Sequence, residues 1–125
     1  MDKKILLIED DDLIRQLYAD QMRAAGLEVF DFPDGKSGLA ALRQQKYDLI
    51  LLDIMLPKKD GLQILRDLKL KPPASKDVAI VVLTNLGQDT VIRQCFELGA
   101  AGYLIKSALN PDQVLQEMKG YLKKS

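Results

Sequence analysis

Leu49-Ile50-Leu51-Leu52-Asp53 is four branched apolar residues followed by a carboxylate. Nothing in it alternates between apolar and polar, so neither face of such a segment suits water. It reads as a short strand covered on both sides, as in a parallel sheet. Three more runs share the pattern. Ile5-Leu6-Leu7-Ile8 ends in Glu9-Asp10-Asp11-Asp12, Val78-Ala79-Ile80-Val81-Val82-Leu83 ends in Thr84, and Tyr103-Leu104-Ile105 ends in Lys106. A weaker run, Val29-Phe30 with Phe32, makes a fifth.

Between these runs, apolar residues recur at helical spacing. Ile14, Leu17, Tyr18, Met22 and Ala25 form one stripe, closed by Gly26. Leu39 and Leu42 follow Asp34-Gly35; Ile64, Leu65 and Leu68 precede Pro72-Pro73; Val91, Cys95 and Leu98 precede Gly99. Val114, Leu115, Met118 and Leu122 form the last stripe, with Asn110 as cap, Pro111 at the first helical position and Gln113 completing a capping box. Residues 72–77 read as a surface loop. The order βαβαβαβαβα, with right-handed crossovers, predicts an α/β three-layer sandwich with helices on both faces of a five-stranded parallel sheet.

Composition sets the outer bounds. The 125 residues suit one domain, residues 1–125, and 47% apolar with 29% charged residues is a globular balance. Lys plus Arg equal Asp plus Glu at 18 each, a net charge of zero, which argues against nucleic-acid binding by bulk electrostatics. No apolar run approaches the roughly 18–20 residues that span a bilayer. One cysteine, Cys95, makes no internal disulfide and fits a reducing cytoplasm. With no histidine, imidazole metal sites and catalytic triads are excluded.

In open α/β sheets, sites lie beyond the carboxyl ends of the strands. Those ends carry Glu9, Asp10, Asp53, Thr84 and Lys106. If the first and third strands are neighbours, three carboxylates converge, and their repulsion calls for a cation. All-oxygen ligands favour Mg²⁺ or Mn²⁺. Asp11 and Asp12 read more simply as the start of the first helix, where acids suit the dipole. Beside a metal, Asp53 is a nucleophile for phosphorus, with Thr84 and Lys106 placed to meet phosphoryl oxygens.

These residues carry a family resemblance. Ile5-Leu6-Leu7-Ile8-Glu9-Asp10-Asp11, Asp53-Ile54-Met55-Leu56-Pro57 with Asp60-Gly61, Val82-Leu83-Thr84, and Gly99-Ala100-Ala101-Gly102-Tyr103-Leu104-Ile105-Lys106 occur in order over the whole chain. Together they resemble the response-regulator receiver domain of two-component signalling, of chemotaxis type. The resemblance implies a flavodoxin-like sheet of order 2-1-3-4-5. It implies that Asp53 accepts a phosphoryl group from a phosphohistidine on a sensor histidine kinase or a histidine phosphotransfer protein. Asp10 and Asp53 side chains and the Met55 backbone carbonyl would hold Mg²⁺ (or Mn²⁺), with Glu9 acting through water or a second layer of contacts. Lys106 would contact the phosphate. Thr84 would move toward it, Tyr103 would turn inward, and the face of helix four, strand five and helix five would be remodelled for a downstream effector or a homodimer. The domain would transfer phosphate to and from itself without being an enzyme in the turnover sense.

Three alternatives belong to other classes. An Asp-nucleophile phosphatase of haloacid-dehalogenase type would place an acid where Met55 stands. A flavin binder would need a Ser/Thr/Gly-rich loop where residues 9–12 are all acidic. A non-phosphorylated scaffold would not need the set Asp10, Asp53, Thr84 and Lys106.

Departures from the family pattern add expectations. Ser107 stands where Pro is usual, so the 106–107 peptide is expected to be trans or mixed, because a cis bond before a non-proline costs about 2.5–4 kcal/mol. Met55 and Leu86 are apolar where polar groups often orient water, so the aspartyl phosphate is expected to be long-lived. Asn85 is larger than the residue usual after the Thr, which narrows access to Asp53.

Overall fold

The computed structural model describes residues 2–74, 78–85 and 87–122. Among these residues, five strands, β1 (Lys4–Ile8), β2 (Glu28–Phe32), β3 (Leu49–Leu52), β4 (Ala79–Thr84) and β5 (Gly102–Ile105), alternate with five α-helices, α1 (Asp12–Ala24), α2 (Gly35–Leu42), α3 (Gly61–Leu70), α4 (Asp89–Glu97) and α5 (Pro111–Lys119), and a one-turn 3-10 helix (Lys106–Ala108) follows β5. The sheet is parallel throughout, in the order β2-β1-β3-β4-β5.

The unbroken apolar runs now have a cause. Successive residues of a strand point to opposite faces. Leu6, Ile8, Ile50, Leu52, Ile80 and Val82 pack on one side with Ala41 and Leu42 of α2, Ile64, Leu65 and Leu68 of α3, and Cys95 of α4. Ile5, Leu7, Leu49, Leu51, Val81 and Leu83 pack on the other with Tyr18, Ala19 and Met22 of α1 and Val114, Leu115 and Met118 of α5. Each full burial of such a side chain is worth about 1.5–3 kcal/mol, so strands that feed two cores are the main stabilising element.

Helix starts follow local chemistry. Asp11, Asp34, Asp60 and Asn110 each accept a backbone N–H three residues on, and Asp60–Gln63 and Asn110–Gln113 form full capping boxes. Gly26 and Gly99 follow α1 and α4 with φ of 90° and 103°. The α1 stripe is narrower than its spacing predicts. Leu17 is 48% exposed and Ala25 is also exposed, because α1 seats Tyr18, Ala19 and Met22 on the sheet and each residue turns about 100° from the last. No cis peptide occurs among the described residues, so the Lys106–Ser107 bond is trans, as expected for Ser.

One position is strained. Lys58 has φ 68°, in the loop between β3 and α3. A side chain there costs about 1–2 kcal/mol. Its ammonium is 3.8 Å from the Asp34 carboxylate and well exposed, too loose a pairing to offset that. Lys58→Gly is expected to stabilise the fold by about 0.5–1 kcal/mol, after allowing for glycine's greater freedom when unfolded, read as a higher urea midpoint.

Candidate acidic site at the strand ends

Pairing of β1 with β3, and of β3 with β4, brings the carboxyl ends of the central strands side by side. The backbone N–H of Asp53 donates to the Ile8 carbonyl at 3.0 Å, which extends the β1–β3 ladder into the site. Glu9, Asp10 and Asp53 each offer a carboxylate oxygen, all within 4.8 Å of one another. Glu9 is 1% exposed and Asp53 3%, whereas Asp10 is exposed. Lys106, from the end of β5, reaches over and donates to Glu9 Oε1 at 2.6 Å and Asp53 Oδ2 at 2.9 Å. Thr84 is buried at the end of β4. A cleft of about 320 Å³ opens here, bordered by Asp10, Asp53, Met55, Thr84, Asn85 and Lys106. Met55 is 63% exposed at its rim, and its N–H donates to Asp53 Oδ1 at 3.2 Å. Leu86, paired with Met55 in the lifetime argument, lies outside the described residues.

Three carboxylates face one ammonium, so the charges sum to −2 when all are ionised. Burial pushes the Glu9 carboxyl up to about 7, against the opposing pull of the Lys106 and Asp11 hydrogen bonds, and the Asp53 charge pushes the same way. Burial works against the Lys106 ammonium, yet its bonds to Glu9 and Asp53 outweigh that and raise it above its ordinary value. An all-oxygen set with two uncompensated charges fits a divalent cation of the Mg²⁺ kind.

A pH effect follows. Below about 4.5, Glu9 is protonated in both folded and unfolded chains. Between that value and about 7 the folded chain keeps a proton that the unfolded chain releases, so stability falls as pH rises through this window. With chelator present, the loss is expected to be on the order of 1–3 kcal/mol between pH 5 and 7.5, measured by urea unfolding. Glu9→Gln should flatten the slope; an equal slope in the variant would locate the proton elsewhere.

Tyr103 is half-buried on β5. Its hydroxyl is enclosed and has no hydrogen-bond partner among the described residues. Burial first, and the neighbouring Cys95 and Asp53 to a lesser degree, push it up to about 12. Two further contacts were not foreseen from sequence. The Arg15 guanidinium donates to the Glu9 carbonyl at 2.9 Å while pairing with Asp12 and Asp31, which anchors the acidic strand end to α1 and β2. The Ser107 N–H donates to Asn85 Oδ1 at 2.7 Å.

The fold and this arrangement of acids, Thr and Lys define a class, and comparison with known proteins agrees. The response regulator receiver domain family model matches residues 5–119, and the chain belongs to that family. It is 35% identical over 108 residues to the transcriptional regulatory protein RprY of Bacteroides fragilis, covering 85% of this chain and 44% of that protein. It is 30% identical over 125 residues to the transcriptional regulatory protein SrrA of Staphylococcus aureus, covering 100% and 50%. The chain thus spans about half the length of these curated relatives. Among solved structures it is similar to the chemotaxis response regulator CheY4 of Vibrio cholerae, with TM-score 0.88, 26% identity and coverage of 98% of this chain and 100% of that one. It is also similar to the phosphorylated cyanobacterial phytochrome response regulator RcpA, with TM-score 0.82, 35% identity and coverage of 96% and 91%. The BeF3-activated N-terminal receiver domain of Klebsiella pneumoniae RstA gives TM-score 0.84 at 33% identity, covering 97% and 99%. The strand order and flavodoxin-like architecture expected from sequence are those found.

Proposed function

We propose that this chain is a phosphorylation-dependent switch in which Asp53 is the phosphoacceptor. The carrying observation is a nearly buried Asp53 carboxylate that opens on a cleft and shares its ammonium partner with a second buried acid. An Asp53 oxygen attacks the phosphorus of a phosphohistidine. An O–P bond forms while the P–N bond breaks, and its electron pair returns to the imidazole of the donor. The donor is a sensor histidine kinase or a histidine phosphotransfer protein, because this chain has no histidine of its own.

Asp10, Asp53 and the Met55 backbone carbonyl are the residues that would hold Mg²⁺ (or Mn²⁺), with Glu9 behind them. When bound, the cation offsets the negative charge of the acids and of the incoming phosphoryl oxygens. Lys106 already lies within hydrogen-bond reach of Asp53 and supplies a fixed positive charge at the phosphoryl oxygens. Thr84 offers a hydroxyl from the adjacent strand end and moves toward the new phosphate. Tyr103 then takes up the altered packing beside α4. The face of α4, β5 and α5 carries the change to an effector protein or domain, or to a second copy of the chain.

Met55, two residues after Asp53, has no proton to give, which weighs against a phosphatase with an Asp nucleophile. No helix among the described residues is long and apolar enough to cross a membrane, and the cytoplasm is the proposed compartment. The test is intact-mass measurement after incubation with Mg²⁺ and acetyl phosphate. A gain of one phosphoryl group is expected. Failure to form any adduct with acetyl phosphate or a phosphorylated partner would overturn the proposal.

A further inference from the structure

We infer that Asn85 is a positioning residue for phosphoryl binding, acting through its hydrogen bond to Ser107. The inference rests on the phosphoacceptor reading of Asp53. The β4–β5 ladder stops at Thr84 paired with Ile105. Just beyond that point, the residue after Thr84 reaches the residue after Lys106, with Ser107 N–H donating to Asn85 Oδ1 at 2.7 Å. A backbone N–H only donates, so the side-chain atom facing it is the carboxamide oxygen. The carboxamide stands in for a backbone carbonyl and adds one rung between the loop after β4 and the one-turn 3-10 helix (Lys106–Ala108) that follows β5.

That rung ties together the two strand ends that carry Thr84 and Lys106. Both border the cleft over Asp53, as does Asn85 itself. Among the described residues of the loop after β4 (85, 87 and 88), this is the one side-chain hydrogen bond to another element. Without it Asn85 and the Ser107 amide would be fixed only when a phosphoryl group arrives, and that ordering entropy would weaken binding. The rung depends on two residues at once. A proline at 107 has no N–H to donate, and a small residue at 85 does not span the gap. Asn85 and Ser107 therefore form a matched pair that places Thr84 and Lys106 around Asp53 before phosphate is present.

The probe is beryllofluoride with Mg²⁺, titrated against the full chain, together with hydrogen exchange at the Ser107 amide. Asn85→Leu keeps the bulk at the mouth of the cleft and removes the acceptor. It should leave the Ser107 amide unprotected and weaken beryllofluoride binding about two- to tenfold, the range given by one hydrogen bond of modest net strength. Ser107→Pro removes the donor instead and should weaken binding by a similar factor, and adding Asn85→Leu to it should change nothing more. Equal or tighter binding in Asn85→Leu overturns the inference, as does a full further loss when Asn85→Leu is added to Ser107→Pro. Absence of binding in the unaltered chain sinks the phosphoacceptor reading itself, and the two failures are thereby distinct.

Discussion

Asp53→Asn is expected to abolish phosphorylation completely while leaving the protein folded. The amide has the shape of the carboxylate but lacks an anionic oxygen to attack phosphorus, so intact mass should show no gain with acetyl phosphate and Mg²⁺. The fold should survive because Lys106 keeps its 2.6 Å bond to Glu9. One of three crowded carboxylates is also gone, which relieves repulsion. Urea stability without divalent cation should therefore change by no more than about 1 kcal/mol, and divalent affinity should fall. An adduct that persists in the Asn variant would show that another residue is the acceptor.

Gly61→Ala is expected to be the most damaging conservative change at the site. Gly61 opens α3, and its N–H donates to the Ile54 carbonyl at 2.9 Å. A Cβ there would run into the Asp53 carbonyl oxygen and lie 2.8 Å from Ile54 Cα. Both are backbone atoms and cannot rotate away. Either α3 withdraws or the Asp53 peptide shifts, so stability and phosphoacceptor geometry suffer together. A loss of about 2–3 kcal/mol in urea unfolding is expected, with slower phosphorylation in whatever remains folded. Gly87→Ala is the control. Its Cβ would meet only Ile105 Cδ1 at an ordinary 3.6 Å, and it should stay within about 0.5 kcal/mol of the parent. Equal midpoints for the two variants would mean that α3 yields cheaply.

How much was legible depended on whether a residue's role left a periodic mark. The four strong strands were plain because each feeds two cores and so has no polar positions. The weaker β2 was visible only in part because Asp31 interrupts it, spent on Arg15 and Arg23 rather than on packing. Glu9, Asp53, Thr84 and Lys106 stood out because each directly follows an apolar run, and Asp10 because it follows Glu9; the sheet then brings them to one cleft. Leu17 was misplaced because a stripe of spacing does not say how wide a band the sheet covers. The Arg15 grip on the Glu9 carbonyl and the Asn85–Ser107 bond left no mark at all. A side chain that meets a backbone atom in another loop has no spacing to read.

The division of each strand between two apolar layers has a consequence for alignment. In a sheet with one wet face, a slip of one residue exposes oily side chains and is rejected at once. Here β1, β3 and β4 are apolar on both faces, so a slip would exchange one layer's residues for the other's with little change in polarity. Differences in side-chain volume oppose it, and so do the polar ends. Sliding any central strand by one place would drag Glu9, Asp53 or Thr84 into a dry layer or pull Lys106 away from its acids. The polar residues at the strand ends thus also act as stops that hold the strands in one alignment.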